Sequence, residues 1–177
     1  MTETEFIDAV TGWHDFHSAV AGVAATLLGL LFVGLAMNPG VMQDDGPKGM
    51  GTWAGLTFHN FLIMLAISLV VLIPEQSAEG IAIPIGLMSA HGVYRVARDI
   101  YQARQDPDPE WRQVRSLGRF AFAGLAYLLG VWSAVLAWQQ DIDSMYLLVW
   151  VTFLLVMTAS ASCWDLLKVI GRGSPGA

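Results

Sequence analysis

Residues 16–37 read FHSAVAGVAATLLGLLFVGLAM and contain no lysine, arginine, aspartate or glutamate. A helix of about 20 such residues is long enough to cross the hydrocarbon core of a bilayer. The stretch is followed directly by the turn-forming sequence Asn38-Pro39-Gly40. It therefore predicts a membrane-spanning helix, and the same criterion can be applied to the rest of the chain.

Four further apolar stretches follow, and we expect each to span the membrane: residues 53–73, 78–98, 117–138 and 145–167. The stretch 78–98 contains Pro84 and His91, and it reaches spanning length only if its arginines snorkel to the interface. If it were re-entrant, an inverted four-span arrangement would leave only Lys48 on the wrong side. We predict the five-span arrangement, an all-α integral membrane bundle in which residues 1–177 form one transmembrane domain.

Charged residues are segregated between the two sides of these five spans. All nine lysines and arginines fall on one side: Lys48, Arg95, Arg98, Arg104, Arg112, Arg115, Arg119, Lys168 and Arg172. The stretches on the other side carry only acids: Glu3, Glu5, Asp8, Asp15, Glu75, Glu79, Asp141 and Asp143. Because basic side chains resist translocation, the pattern predicts an N-terminus outside and a C-terminus in the cytoplasm.

The composition excludes several classes of protein. Hydrophobic residues make up 55% of the chain and charged residues 14%, whereas a soluble domain has about 25% charged residues. The net charge of −6 is not typical of a nucleic-acid-binding protein. The sequence contains no GxSxG, HExxH or P-loop motif, and Cys163 is its only cysteine. With no catalytic motif and no cysteine pair, we expect neither an enzyme nor an intrachain disulfide.

Small residues recur at helical spacing and predict the faces on which the spans pack. The main positions are Ala21, Ala25 and Gly29 in the first span, Gly86 in the third and Gly130 in the fourth. Close backbone approach, rather than hydrophobicity, holds helices together in lipid. The pattern leaves open whether each partner helix belongs to the same chain or to another copy. Ordinary packing within the chain is the simpler interpretation, and the predicted assembly is a homo-oligomer.

Polar side chains inside the spans are candidates for function because they are costly in hydrocarbon. His59 and His91 come to a similar depth near the cytoplasmic end, since the second and third spans run in opposite directions. Four more polar residues are candidates for the same cluster: Asn60, Thr158, Ser162 and Asp165.

Three interpretations of this cluster stay open. It is a set of interhelical hydrogen bonds, which is the commonest use of such residues. Alternatively, it is an ion or proton pathway, since imidazole titrates near neutrality. Or it is a metal or haem b site with the histidines as ligands. The leading functional hypothesis is an oligomeric ion channel or transporter whose path passes His59 and His91.

The opposite end of the bundle has its own histidines. His14 and His17 are one helical turn apart, and Asp15, Glu75 and Glu79 are predicted on the same side of the membrane. Such a group is a candidate site for a divalent metal. The alternative is that both histidines simply face headgroups and water. The sequence itself requires no cofactor.

The stretch WHDFHSAVAGVAATLLGLLFVGLAMNP, residues 13–39, resembles the opening of a family of small bacterial membrane proteins. The similarity continues into LVVLIPEQSAEG, residues 69–80, where the family often has a Leu-x-Pro-x-Gln turn. It covers the first half of the chain and implies a bacterial inner membrane. Some members carry the label "modulator of FtsH protease", although the established modulators are longer and have seven spans. The resemblance implies no catalytic residue. It suggests an alternative function, a non-catalytic protein that binds or regulates another membrane protein.

Overall fold

A computed structural model describes residues 2–37, 50–105 and 114–172 of the chain. These residues form six helices: α1 (Glu3–Thr11), α2 (His14–Met37), α3 (Met50–Val71), α4 (Ala78–Gln105), α5 (Val114–Trp138) and α6 (Asp143–Arg172). No β-strand occurs in the described ranges. The predicted all-α class is therefore confirmed.

Among the described residues, four helical segments are long and apolar enough to cross a membrane: His14–Met37, Ala54–Val71, Phe120–Trp138 and Asp143–Trp164. They coincide with the predicted spans 16–37, 53–73, 117–138 and 145–167. The chain is thus a multi-pass membrane protein by the length and composition of its helices. The predicted span 78–98 lies within α4, which is not among the four and which contains Pro84.

α1 has no counterpart among the predicted spans. It begins with a capping box, in which the Glu5 N–H donates to the Thr2 hydroxyl and the Thr2 N–H donates to the Glu5 carboxylate over 2.9 Å. These bonds hold the pKa of Glu5 below its ordinary value. Phe6 and Val10 are buried, and the helix contacts α4. α1 is therefore an amphipathic helix folded against the bundle ahead of the first candidate span.

The helices are packed in the order α4, α5, α6, α3 and α2, and α4 also contacts α3. The α4–α5 pair is the most extensive contact of the bundle. It is antiparallel and in a regular register, with Gly86 opposite Ala134, Ser89 opposite Gly130, Gly92 opposite Tyr127 and Val96 opposite Gly124. The small residues predicted on the third and fourth spans therefore pack against each other within one chain.

The small residues of α2 lie differently. Ala21 is half-buried, and Ala25 and Gly29 are exposed. A Cβ at Gly29 would have no atom from outside its own stretch of helix within 4 Å. Ordinary packing within the chain thus describes α4 and α5, whereas the small-residue face of α2 points away from the bundle.

Near the start of α4, a side chain replaces the backbone hydrogen bond that Pro84 cannot form. Pro84 has no N–H with which to reach the carbonyl of Gly80, four residues earlier. The side-chain amide of Gln76 donates to that carbonyl instead, with an Nε2–O distance of 2.7 Å. Gly80 leaves the room for this bond, because a Cβ there would lie 2.7 Å from Cγ of Gln76. The proline is therefore accommodated without an orphaned carbonyl at Gly80.

Candidate functional site

The rings of His59 and His91 meet between α3 and α4. Their centroids are 5.5 Å apart and their planes are inclined by 63°, which is an edge contact. His59 is buried, with 6% of its surface exposed, whereas His91 is exposed. The structure thus brings together two histidines that are 32 positions apart in the chain, because α3 and α4 run in opposite directions.

A hydrogen bond from α5 extends this contact. The hydroxyl of Tyr127 donates to Oδ1 of Asn60 over 2.6 Å, and both side chains are buried. The Tyr127 ring also lies next to His59, with a centroid separation of 5.9 Å. Three helices therefore contribute polar side chains to one continuous group.

Arg95 adds a positive charge to the group. It lies one helical turn beyond His91 on α4, and its Nη2 is 3.8 Å from the position that a Cβ at Gly55 would take. Gly55 lies one turn before His59 on α3, so the guanidinium lies close to the contact between the two histidines. We call the five residues His59, Asn60, His91, Arg95 and Tyr127 the histidine site.

Two buried atoms of the histidine site have no hydrogen-bond partner among the described residues: Nε2 of His59 and Nδ2 of Asn60. Leaving a buried polar group without a partner costs about 1–3 kcal/mol. Unsatisfied groups of this kind in a native structure usually mark a bound water, an ion or a functional role. Nε2 of His59 and Nδ2 of Asn60 are therefore the polar atoms of the histidine site that its own side chains leave unused.

Two glycines set the geometry of the site by allowing α4 and α5 to approach closely. A side chain at Gly92 would overlap the ring of Tyr127, and one at Gly130 would overlap the hydroxyl of Ser89. Because Gly92 has no side chain, the Tyr127 ring lies against α4 and still reaches Asn60 on α3. The close helix contact thus positions the tyrosine.

The candidate residues of α6 are used differently. Thr158 and Ser162 are buried, but their hydroxyls donate to carbonyls one turn back in α6, those of Leu154 at 2.7 Å and Thr158 at 2.9 Å. Their donors are therefore satisfied within the helix. Asp165 lies outside the residues whose side chains the structure describes.

The two histidines near the start of α2, His14 and His17, differ in how far they are buried. His17 is fully buried, and neither ring nitrogen has a partner among the residues described. His14 is half-buried. Within the described ranges, no group of three or more His, Cys, Asp or Glu side chains is placed to hold a metal ion. His14 and His17 alone are an incomplete ligand set for a divalent metal.

The arrangement of His59 and His91 also bears on a haem b site. Two axial histidines hold the porphyrin in a flat gap between their rings. Rings in edge contact at 5.5 Å leave no such gap. The pair as arranged here does not fit a haem bound between the two histidines.

Tyr127 and Arg95 are the members of the site that sequence reasoning missed. From the sequence, Arg95 is expected to mark the topology and to lie at the membrane interface, and nothing in the sequence links it to the histidines. Tyr127 had a signal: it lies four residues after Ala123 and three before Gly130, on the small-residue face of its span. A tyrosine on a packing face inside a membrane helix needs a hydrogen-bond partner, and Asn60 provides it.

Comparison with known proteins gives no match: no family model, no curated protein and no solved structure matches the chain. The function must therefore be inferred from the histidine site and its position in the bundle.

Proposed function

We propose that the chain is a small bacterial inner-membrane protein that transports an ion or small solute, as a channel or a transporter, through the histidine site. The observation that carries the proposal is a pair of buried polar atoms, Nε2 of His59 and Nδ2 of Asn60, to which none of the described residues is hydrogen-bonded. A purely structural network satisfies its buried donors, whereas a transport site keeps them available for the species that it binds. His91 lies exposed at the rim of the site and supplies an entrance.

The proposed topology has five spans, with α4 as the third. Its 28 residues correspond to a length of about 42 Å, which is enough to cross a bilayer. α4 also lies side by side with the candidate span Phe120–Trp138, because its residues 86 to 96 pack along residues 134 to 124. A helix in register with a membrane span over that length shares its depth. The segregation of Lys and Arg supports an N-terminus outside and a C-terminus in the cytoplasm.

A homo-oligomer is part of the proposal because five helices enclose little space of their own. The exposed face of α2 supports a homo-oligomer. Only 6% of the most apolar stretch of α2 is buried within the chain, compared with 61% of the corresponding stretch of α3. Ala25 and Gly29 on that face would allow close approach to a helix of another copy.

Flux measurements on the purified protein in liposomes test the transport function. Proton, potassium and anion movement would be followed with enclosed dyes, in the wild type and in His59→Ala and His91→Ala. We expect both substitutions to change the flux of the transported species. His14→Ala, which removes a half-buried histidine outside the site, is the control. Flux that is the same in all four proteins would contradict a path through the histidine site.

A second function, binding or regulation of another membrane protein, is supported by the same exposed face of α2 and by the family resemblance. In that case Gly29→Leu, which places a large side chain on the face, should abolish co-purification of a specific partner in mild detergent. A monomer that retains no partner in the wild type speaks against this alternative.

A further inference from the structure

We infer that the histidine site binds an oxyanion, that is, a phosphate or carboxylate group. The inference rests on the proposed function, in that the site holds the species transported, and it narrows that species to one chemical class. It comes from three features of the described residues: the direction of the hydrogen bonds, the sign of the charge and the opening of the site.

The hydrogen bonds leave the site rich in donors. The carbonyl oxygen of Asn60 is the acceptor of its side chain, and it already receives the hydroxyl hydrogen of Tyr127. The amide nitrogen, with its two hydrogens, is therefore the free end of a fully buried side chain. Nε2 of His59 is the second free group, and it donates when it carries a hydrogen. A ligand that satisfies both groups presents acceptor oxygens.

The charge of the site has the matching sign. Arg95 contributes a guanidinium with donors only, and its Nη2 lies next to Gly55, one turn before His59 on α3. Asp99 is the next acid on α4, one turn after Arg95. Its Oδ1 lies 3.6 Å from Nη2 of Arg98, with which it forms an ion pair. None of the five side chains of the histidine site is an acid. A metal cation or an ammonium group would be repelled by Arg95, whereas an oxyanion is attracted to it.

The site opens on the side of His91. α3 and α4 contact each other less extensively than α4 and α5 do, and the side chain of His91, at the edge of the site, is exposed. His59 lies five residues, or about 7.5 Å, inside the end of the candidate span that begins at Ala54. At that depth the exposed His91 is within reach both of a lipid phosphate and of an anion from the water.

Binding is tested without any gradient, so that its result is independent of the flux experiment. The thermal unfolding of the full chain would be followed in neutral detergent with increasing inorganic phosphate. A parallel series would use nanodiscs of pure phosphatidylcholine and of phosphatidylcholine with phosphatidylglycerol. The variants are Arg95→Gln and Asn60→Asp. Arg98→Gln is the matched control, because it removes the same charge from the same helix at a side chain that is 51% exposed.

We expect phosphate to raise the unfolding temperature of the wild type and of Arg98→Gln. In Arg95→Gln the apparent dissociation constant should rise about tenfold or more, as a charge-assisted contact is lost. Asn60→Asp keeps an acceptor for Tyr127 but replaces the free donor by a negative charge. Phosphate should therefore not raise the unfolding temperature of this variant. A soluble anion as ligand predicts an effect of phosphate in detergent. A lipid headgroup as ligand predicts an effect of phosphatidylglycerol alone.

Equal responses of the wild type, Arg95→Gln and Asn60→Asp to both ligands, or no response of the wild type to either, would overturn the inference. The unfolding temperature of each variant without added ligand shows whether it is folded, and Arg95→Gln, at a half-buried side chain, tests the site without burying a new charge. If the anion binds but no flux is found, the transport function fails while the site stands. If flux depends on His59 and no anion binds, the inference of an oxyanion site fails while the transport function stands.

Discussion

Tyr127 joins the two sides of the histidine site, because its ring lies beside His59 while its hydroxyl reaches Asn60. Each residue of the site depends in the same way on a partner from another helix. Individual substitutions therefore test whether the contacts described here stabilise the protein.

Tyr127→Phe removes the hydroxyl and leaves the buried carbonyl of Asn60 without its donor. We expect a loss of about 1–2 kcal/mol in the free energy of unfolding, the size expected for a hydrogen bond between membrane helices. Unfolding in a denaturing detergent would measure it. Tyr94→Phe, at a side chain that is 63% exposed, is the control. Equal stability of the two variants would show that the bond to Asn60 does not contribute.

Gln76 and Pro84 should be coupled through the carbonyl of Gly80. Gln76→Met removes the amide donor and should destabilise the protein by about 1 kcal/mol. In the Pro84→Ala background the new N–H at position 84 can bond to Gly80, so the same substitution should cost less. A double-mutant cycle on unfolding free energies measures the coupling, which we expect to exceed about 0.5 kcal/mol. Additive effects would indicate that Gln76 does not compensate for the proline.

At the scale of the helix, the glycines of α4 and α2 have opposite roles. A side chain at Gly92 meets the Tyr127 ring, whereas one at Gly29 meets nothing outside its own stretch of helix. The difference arises because α4 is packed against α5 along its length and α2 is packed mainly against α3. The two positions form a matched pair for substitution.

Gly92→Leu should destabilise the single chain by about 1–3 kcal/mol or more, as overpacking of a close contact does. Gly29→Leu should change the stability of the single chain by less than about 0.5 kcal/mol, and should lower the native mass if α2 joins copies. Unfolding and native mass measured on the same preparations give both results. A Gly29→Leu variant as unstable as Gly92→Leu would contradict the exposed position of the α2 face.

The capping box of α1 should respond to pH. The bonds with Thr2 hold the pKa of Glu5 below its ordinary value of 4.5. Their contribution to the stability of α1 is therefore present above pH 4.5 and is lost as the pH falls through the lower pKa of the folded helix. The protection of the amide hydrogens of residues 3–11, measured relative to their intrinsic exchange rates at each pH, should decrease at the acidic end of the range. Glu5→Gln should reduce this pH dependence, whereas Glu3→Gln, which removes a charge at the same helix end, should retain it.

Across the whole molecule, the number of spans decides whether the N-terminus lies on the same side of the membrane as the arginines that follow α4. If α4 crosses the membrane, the region after α4 is separated from the N-terminus by three crossings. If it does not cross, the two lie on the same side. In a Cys163→Ser background, single cysteines would be placed at two exposed positions, as Thr4→Cys and Gln102→Cys. Five spans predict that a membrane-impermeant thiol reagent reaches the first from outside intact cells and does not reach the second. Labelling of both from the same side would contradict the five-span topology.

Much of the fold could be predicted because it depends on composition alone. The first span, predicted at 16–37, is the helix His14–Met37, and the third, predicted at 78–98, lies within Ala78–Gln105. α1 was missed although Thr2 and Glu5 have the spacing of a capping box.

The site was less accessible to prediction. The shared depth of His59 and His91 follows from the alternating direction of the spans. The contribution of Tyr127 depends on how α5 is rotated about its axis, and that rotation is set by the close contact at Gly92. Contacts of this kind between side chains are not visible in hydropathy.

The uneven packing of the helices implies an order in which they come apart. α3, α4, α5 and α6 are linked by several mutual contacts, whereas α2 contacts mainly α3. Local opening starts where the fewest contacts have to be broken. α2 should therefore separate first on heating or in harsh detergent, while the four-helix remainder and its histidine site persist. A preparation in this state should still bind the proposed oxyanion but should have lost the α2 face that we propose joins the copies.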